Sequence, residues 1–336
     1  KKMNQPVSTL GSGSNILISD TGIKGLVISL KNSLKLIKVE KQKMYAECGA
    51  MLGKIVKQAV KNDLIGLENL NGVPGTLGGA LVMNAGAWGG EISENLVQVE
   101  LIDSNGELKC LQKNEINFSY RHSSFNEKDI LLSAEFLLNK ADKEIINKNF
   151  VEAQSGRKST QPLNKRSAGS LFKNPEGNSA GKLIDKAGLK GLSIGGAKIS
   201  DKHANFFINE GNASSKDMLL LIKKAHKAVK DKFEINIQLE VKLMGFNESE
   251  IEALLGTDLS DLGIYEDIML SSRFVDHLCN YYYEKGEYGK AMTEITHFWY
   301  DDMSNHPMEW MCFDNYPTFL IRSYAPSFFH LQAFHV

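Results

Sequence analysis

The sequence of 336 residues contains no apolar run approaching the roughly 20 residues that a membrane-spanning helix requires. Its first ten residues also lack the apolar stretch of a secretory signal. Only four cysteines are present, and they are widely separated and include no CxxC pair: Cys48, Cys110, Cys279 and Cys312. Scattered cysteines of this kind are typical of reduced thiols. These absences predict a cytoplasmic protein with no membrane insertion.

Two common nucleotide-binding motifs are also absent. The glycine-containing loop at residues 11–15, with the sequence GSGSN, lacks the third glycine of a dinucleotide fingerprint and the Lys-Ser/Thr pair of a P-loop. A Rossmann fold or a P-loop nucleotidase is therefore not expected. Backbone N–H groups and the side chains of Ser12, Ser14 and Asn15 could instead bind a pyrophosphate.

Charge is divided unevenly along the chain. Residues 1–246 hold 35 basic and 25 acidic residues, a net charge of +10, whereas residues 247–336 hold 4 and 15, a net charge of −11. The last 90 residues also contain 17 of the 29 aromatic residues but only 4 of the 29 glycines, so we place a boundary near Phe246. The basic body suits polyanionic nucleotides. It contains no basic motif interleaved with aromatics, so nucleic acid is not an expected partner.

The pattern of apolar residues in the body is typical of a mixed α/β protein. Short β-branched runs predict strands at residues 25–30, 34–39, 97–102 and 130–138. Helical periodicity predicts helices at residues 52–62, 180–187 and 215–232, the last capped by Ser214 or Ser215.

Seven glycines fall within residues 72–90, together with Pro74 and Asn84. Glycine tolerates positive φ and allows a ligand to approach the backbone, which phosphate-holding loops require. The alternative is a series of tight turns in a β-rich domain. The segment alone favours a cofactor cradle without excluding that alternative.

Motifs in collinear order from about residue 7 to about residue 246 carry a specific resemblance: GSGSN, GLENLNGVPGTLGGALVMNAGAWGGEI, FSYRHSSF, SAGSLFKNP, AGKLIDKAGLKG, GGAKIS, HANFFIN and QLEVKLMG. The chain resembles the UDP-N-acetylenolpyruvoylglucosamine reductases, and specifically the shorter of the two types in that family. The resemblance implies an α/β (α+β) protein with a two-part FAD-binding domain of the vanillyl-alcohol-oxidase type and a substrate-binding α/β domain. It also implies NADPH as the reductant and a UDP-sugar, UDP-N-acetylglucosamine enolpyruvate, as the substrate.

Domain boundaries follow from the resemblance and the charge division. Residues 1–20 match the end of the first FAD-binding subdomain, whose usual N-terminal part is not matched, and residues 21–145 match the second subdomain. Residues 146–246 match the substrate-binding domain, and residues 247–336 form an acidic, aromatic-rich segment outside the resemblance. A protein without catalysis or FAD, using this segment to bind a protein partner, is the alternative to a reductase.

The resemblance places the flavin and its pyrophosphate against two glycine-containing stretches. The matching residues are Gly11, Ser12, Gly13, Ser14, Asn15, Pro74, Gly75, Thr76, Gly78, Gly79, Asn84, Ala85 and Gly86.

Three residues match the catalytic positions of the family. Arg121 would bind the substrate carboxylate, Glu240 would help to stabilise the enolic intermediate, and Ser170 would donate a proton to C2. Without the motifs, Arg121 could be a surface arginine beside a tyrosine. Glu240 could likewise be an exposed charge in a strand at residues 235–243.

Four further polar residues are expected to bind the substrate: Lys173, Asn174, His203 and Asn205. His203 could equally be a hydrogen-bonded structural residue. In the C-terminal segment, amphipathic patterns predict helices at residues 267–284 and 288–300, so the segment is expected to be mainly helical. Glu294 and His297 have the i, i+3 spacing of a carboxylate-bridged metal site, but no second copy exists and no metal is expected.

Overall fold

A computed structural model describes residues 6–247, 250, 251, 255 and 262–264, and the backbone of residues 318–322 and 331–335. The chain divides into two compact units, Lys1–Gly263 and Ile264–Val336. The helices predicted at residues 267–284 and 288–300 lie outside the described residues, as do Glu294 and His297.

The first unit has nineteen strands and five α-helices with described bounds, together with three short 3-10 helices. The strands are β1 (Val7–Leu10), β2 (Ile16–Ile18), β3 (Leu26–Ser29), β4 (Ile37–Glu40), β5 (Lys43–Glu47), β6 (Leu64–Ile65), β7 (Gly86–Ala87), β8 (Gly90–Glu91), β9 (Leu96–Ile102), β10 (Leu108–Gln112), β11 (Phe118–Ser119), β12 (His122–Ser123), β13 (Ile130–Leu137), β14 (Asn139–Lys140), β15 (Arg166–Ser170), β16 (Ser193–Ile194), β17 (Ala197–Ile199), β18 (Phe206–Asn209) and β19 (Lys242–Met244). The helices are α1 (Leu52–Lys61), α2 (Leu77–Val82), α3 (Lys143–Thr160), α4 (Ala180–Lys186) and α5 (Ser215–Phe233).

A five-stranded antiparallel sheet in the order β10-β9-β13-β5-β4 forms the first layer. At its centre, Ala134 of β13 lies opposite Ala46 on one side and Val99 on the other. Helix α1 supplies four buried residues at i, i+3, i+4 and i+7 spacing, namely Leu52, Ile55, Val56 and Ala59. Because these positions share one face of a helix, α1 packs its apolar side into the same core as the sheet.

A four-stranded sheet in the order β15-β18-β17-β16 forms the second layer, with α4 and α5 packed nearby. Helix α5 begins with a capping box, in which Ser214 Oγ accepts from Asp217 N and Asp217 Oδ2 accepts from Ser214 N. Its buried face carries Leu219, Ile222 and Val229. Strand β15, at one edge of this sheet, ends at Ser170, one of the predicted catalytic residues.

Two parallel strand pairs connect distant parts of the first unit. Strand β1 pairs with β3, and β2 pairs with β19, so that Ile16 lies opposite Lys242. The GSGSN loop at residues 11–15 joins β1 to β2. The pairing of β2 with β19 therefore fixes this loop beside residues just before β19, including Glu240.

The mixed α/β class is confirmed, and most predicted elements are present with shifted ends. Strand β4 begins at Ile37 because Leu34 has a φ of 46°, a left-handed conformation that a strand does not adopt. Helix α3 was not predicted, since Ile146 and Ala153 are its only buried residues and its periodicity is weak.

The first compact unit extends to Gly263, and Leu239 N donates to the carbonyl of Leu262 within it. The domain boundaries expected from the sequence, including the one near Phe246, stay predictions. Within the second unit, β20 (Thr318–Arg322) and β21 (Leu331–His335) form an antiparallel pair with Leu320 opposite Ala333. Among the described residues, no helix has both the length and the apolar character of a membrane span.

Candidate active site

Glu240 lies where three separate parts of the first unit meet. Its carboxylate Oε1 accepts a hydrogen bond of 2.9 Å from Arg121 Nε. Its backbone N–H donates to the carbonyl of Leu171, the residue after Ser170, at 2.8 Å. Its own carbonyl accepts from Asn15 Nδ2 of the GSGSN loop at 2.9 Å. One residue therefore joins the arginine, the serine strand and the loop.

Arg121 stands at the tip of the β11–β12 hairpin, where its φ of 58° places it in the left-handed region. A non-glycine residue in this conformation is strained unless its surroundings hold it. Here Nη2 donates to the carbonyl of Gly86 at 3.0 Å, and the guanidinium lies 4.8 Å from the centre of the Tyr120 ring. Arg121 is therefore fixed by a carboxylate, a carbonyl and an aromatic face rather than extended into solvent.

The ion pair between Arg121 and Glu240 is mostly buried, with 19% and 17% of the side chains exposed. Glu240 is therefore not the exposed strand charge that was considered as an alternative, and β19 begins only at Lys242. Burial raises the pKa of Glu240, whereas the charges of Arg121 and Lys173 and the Arg121 hydrogen bond oppose that rise. The site thus holds a carboxyl group that gains a proton more easily than an ordinary glutamate does.

Ser170 is half-buried at the end of β15, where it pairs with Phe206. The preceding residue, Gly169, has a φ of 81° and approaches the carbonyl of Ser14 in the GSGSN loop. Together with the Leu171–Glu240 hydrogen bond, this brings the three predicted catalytic residues, Arg121, Ser170 and Glu240, to one place. They come from a hairpin, a sheet edge and an irregular segment of the same unit.

The two glycine-containing stretches contact each other directly. A Cβ on Gly11 would lie 2.5 Å from Thr76 Oγ1, and one on Gly75 would lie 3.3 Å from Ser14 Oγ. Ser14 Oγ donates to the carbonyl of Pro74 at 3.3 Å. A side chain at position 11 would clash with Thr76, and the φ of 135° at Gly75 is a conformation that other residues rarely adopt. Around Gly13, by contrast, no atom lies within 4 Å of such a Cβ, so open space remains beside the loop.

Other members of the predicted cofactor set have roles in packing. A Cβ on Gly78 would lie 3.3 Å from Cys48 Cβ, so α2 packs closely over the buried thiol. Asn84 is fully buried, and its Nδ2 donates to Glu91 Oε2 at 2.7 Å and to the carbonyl of Ser119 at 3.0 Å. Asn84 therefore holds the hairpin of Arg121 against the glycine-rich segment. Gly79 and Ala85 lie beside these residues, Gly79 within α2 and Ala85 after it.

The four predicted substrate-binding residues lie outside the strands of the second sheet, Lys173 and Asn174 after β15 and His203 and Asn205 before β18. Lys173 is close enough to Glu240 to affect its pKa, and Asn174 Oδ1 accepts from Ala180 N at the start of α4. His203 packs edge-on against Phe206, and burial lowers its pKa. The Nδ1 atom of His203 accepts a hydrogen bond from Asn205 N at 3.2 Å. This contact agrees with the alternative that His203 is a hydrogen-bonded structural residue.

Asn205 is buried, and its side-chain amide bonds to both backbone groups of Phe172, accepting from N at 3.0 Å and donating to the carbonyl at 2.8 Å. This amide therefore fixes the segment that follows Ser170. Binding of substrate by Asn205 stays a prediction.

Sequence reasoning missed Arg157, in the last turn of α3. Its Nε and Nη1 atoms are buried without a hydrogen-bond partner among the described residues. The residue gave no signal because it belongs to a polar run with no motif and no clear apolar period.

The arrangement fits a bound flavin. Gly13 borders open space, and the carboxamide Oδ1 of Asn84 is a second buried polar atom without a partner in the described part of the chain. Native proteins rarely leave buried polar atoms unpaired, so this oxygen is available to a polar group of a ligand. The residues that would hold FAD are those of the GSGSN loop and the glycine-rich segment.

Comparisons with known proteins agree with this geometry. Residues 1–111 match the family model of an FAD binding domain, and residues 161–244 match that of the UDP-N-acetylenolpyruvoylglucosamine reductase C-terminal domain. A UDP-N-acetylenolpyruvoylglucosamine reductase of Caldanaerobacter subterraneus is 47% identical over 71% of this chain and 80% of its own length. A reductase of the same name from Clostridium novyi is 45% identical over 74% of this chain and 81% of its own.

A solved structure is similar as well. The crystal structure of the UDP-N-acetylenolpyruvylglucosamine reductase of Thermus caldophilus matches with a TM-score of 0.63 at 35% identity, covering 72% of this chain and 86% of that one. The predicted flavin-binding fold is therefore confirmed.

Proposed function

The chain belongs to the UDP-N-acetylenolpyruvoylglucosamine reductase family, and from this premise we propose that it reduces UDP-N-acetylglucosamine enolpyruvate to UDP-N-acetylmuramate for peptidoglycan synthesis. FAD is the cofactor and NADPH the reductant in this proposal. The observation that carries it is the position of Glu240, which contacts Arg121, the Ser170 strand and the GSGSN loop at once.

When bound, FAD supplies hydride transfer from NADPH to C3 of the enolpyruvyl double bond. Addition at C3 places negative charge on the substrate carboxylate and leaves C2 in need of a proton. The protein must therefore provide a fixed cation, a group that shares the developing charge, and an acid.

Arg121 provides the cation. Its guanidinium is always charged and planar, and Tyr120, Gly86 and Glu240 already hold it in place. A preorganised cation stabilises developing charge better than a mobile one, since it does not reorganise during the reaction. The partial burial of the site strengthens this effect because the local dielectric is low.

Glu240 is suited to share the developing charge because burial raises its pKa. Its carboxyl lies beside Arg121, the residue proposed to bind the substrate carboxylate, and is therefore placed to act on the enolic intermediate. Arg121 and Lys173 limit this rise, so their positions set how easily Glu240 holds a proton.

Ser170 is the proposed proton donor to C2. It lies half-buried at the end of β15, between the GSGSN loop and the segment that Asn205 fixes. A serine hydroxyl is a weak acid, so accurate placement against C2 is required for this role. Its neighbour Lys173 and the adjacent Asn174 and His203 are the proposed contacts to the UDP-sugar.

Replacement of Ser170 tests the proposal. In Ser170→Ala, flavin reduction by NADPH should remain near the wild-type rate, whereas flavin reoxidation by the enolpyruvyl substrate should slow by about 10²–10⁴-fold, the usual contribution of general acid catalysis. Stopped-flow absorbance follows both half-reactions separately. Ser167→Ala, on an exposed position of the same strand, is the matched control.

Equal losses in both half-reactions of Ser170→Ala would contradict the assignment, because they would indicate damage to flavin binding. A colourless wild-type protein that binds no FAD would instead favour the non-catalytic alternative. Cytoplasmic localisation and a protein partner for residues 247–336 stay predictions.

A further inference from the structure

Glu91 is half-buried at the open end of the β7–β8 hairpin, where it pairs with Gly86. A Cβ on Gly86 would lie 3.0 Å from Glu91 Cγ and 3.2 Å from Arg121 Nη1, so the glutamate and the guanidinium approach the same backbone position. The carbonyl of Gly86 accepts from Arg121 Nη2 at 3.0 Å. The strand pair that carries Glu91 therefore borders the cation that is proposed to bind the substrate carboxylate.

The carboxylate of Glu91 fixes the side-chain amide of Asn84. Glu91 Oε2 accepts from Asn84 Nδ2 at 2.7 Å, and the same Nδ2 donates to the carbonyl of Ser119 at 3.0 Å. A carboxylate and a carbonyl are both acceptors, so only the NH₂ group of the amide can face them. The bond to the carboxylate is the shorter one, and charge-assisted hydrogen bonds are roughly twice as strong as neutral ones. Glu91 therefore decides which way the buried amide points.

Ser119 belongs to the β11–β12 hairpin that carries Arg121, and the two residues after Ser119 form its tip. The other strand of the hairpin is held separately, because Ser123 Oγ donates to the carbonyl of Val82 at 2.7 Å. Loss of the Asn84 bond would free one strand while the other stays attached. The tip would then shift without unfolding, and the guanidinium would shift with it.

We propose that Glu91 is a positioning residue for the reduction of the enolpyruvyl substrate. Its carboxylate orients Asn84, whose amide holds the hairpin and so keeps Arg121 directed at the substrate carboxylate. This inference rests on the proposed function. A guanidinium binds a carboxylate through the direction of its N–H groups as well as through charge, so a displaced Arg121 would keep its charge but lose the matched geometry. Glu91 itself contacts neither substrate nor flavin in this proposal.

The test compares full-length, FAD-loaded wild type with Glu91→Ala, Glu91→Gln and Glu94→Ala. Glu94 is exposed and forms the other half of a capping box, in which its Oε1 accepts from Glu91 N at 3.0 Å. Glu94→Ala therefore removes the same charge and weakens the same cap without reaching Asn84. Dissociation constants are measured on the oxidised protein without NADPH, for the enolpyruvyl substrate and for UDP-N-acetylglucosamine, which has no carboxylate. Stopped-flow absorbance follows the two flavin half-reactions.

For Glu91→Ala we expect the dissociation constant of the enolpyruvyl substrate to rise about 10-fold, as for the loss of one hydrogen bond, and flavin reoxidation to slow by a similar factor. The dissociation constant of UDP-N-acetylglucosamine and the rate of flavin reduction by NADPH should stay unchanged, because neither involves the substrate carboxylate. Glu91→Gln should recover most of the loss, since its side-chain carbonyl can still accept from Asn84 Nδ2. In an Arg121→Met background, Glu91→Ala should cause no further loss of substrate affinity, because the glutamate acts through the arginine.

Four results would overturn the proposal. Glu91→Ala could match Glu94→Ala, could weaken both UDP-sugars equally, could lose FAD, or could weaken substrate binding by the same factor in the Arg121→Met background. The first would assign the effect to the cap, the second and third to general damage, and the fourth to a route that bypasses Arg121. FAD-loaded wild type that does not reduce the enolpyruvyl substrate would refute the proposed function together with this inference. An active wild type with an unaffected Glu91→Ala would remove the inference alone.

Discussion

Replacement of Arg121 by methionine should destabilise the apoprotein in a way that depends on pH. The substitution leaves the carboxyl of Glu240 buried, with 17% of its side chain exposed, and removes the one side chain that hydrogen-bonds to it in the described part of the chain. Breaking a fully buried pair costs about 3–5 kcal/mol. Since about one fifth of each side chain is exposed here, we expect the free energy of unfolding to fall by ~2–3 kcal/mol at neutral pH.

The pH dependence follows from the pKa of Glu240. Burial already raises it in the wild type, and the loss of Arg121 removes the two largest opposing effects, so the folded-state pKa rises further in the variant. A raised folded-state pKa contributes stability at low pH that is lost as pH rises through it. The difference between variant and wild type should therefore be small at about pH 5 and grow toward about pH 8.

Urea denaturation of both proteins across this pH range measures the difference. The double variant Arg121→Met/Glu240→Gln is the control, because it removes the titrating group and should show a nearly constant difference from Glu240→Gln. A loss of stability for Arg121→Met that is equal at both pH values, or that persists with the same pH slope in the double variant, would refute the reasoning.

Two further predictions concern the loop contact and the intermediate. Gly11→Ala should weaken FAD binding and stability by about 1–3 kcal/mol, the usual cost of overpacking, because its Cβ would lie 2.5 Å from Thr76 Oγ1. Adding Thr76→Ala should recover most of that loss in FAD titrations, and no recovery would show that the contact is not the cause. Glu240→Gln should lower kcat more than it raises KM in steady-state assays, since its proposed contact forms with the intermediate, and an unchanged kcat would exclude it from the mechanism.

The sequence predicted the parts of the site that are local in the chain. The resemblance to the reductase family identified the GSGSN loop, the glycine-rich segment and the motifs around Arg121, Ser170 and Glu240, because each is a short run of neighbouring residues. Helix α5 was predicted for the same reason, since its cap and its apolar face lie within one stretch. The arrangement of these segments in space depends on contacts between residues that are more than a hundred positions apart in the sequence, such as Arg121 and Glu240.

Contacts of that range explain what the sequence could not predict. Asn205 was assigned to substrate, but only the fold shows its amide bonded to both backbone groups of Phe172. Helix α3, which carries Arg157, was missed because it buries only Ile146 and Ala153, so neither periodicity nor a motif indicated a helix. Burial without a partner is a property of three-dimensional structure, and no pattern of residue types reports it.

The glycines of residues 72–90 show how one composition serves several physical needs. A Cβ on Gly78 would contact Cys48, one on Gly86 would contact Glu91 and Arg121, and Gly72 combines a φ of 78° with a contact to Arg157. A glycine-rich segment is thus only partly a cofactor cradle, and part of its length exists to admit charged side chains. Because Asn84 and Gly86 hold Arg121, the same segment positions the cation that is proposed to bind the substrate carboxylate. This cation is in place before any ligand binds, which is the preorganisation that electrostatic catalysis requires.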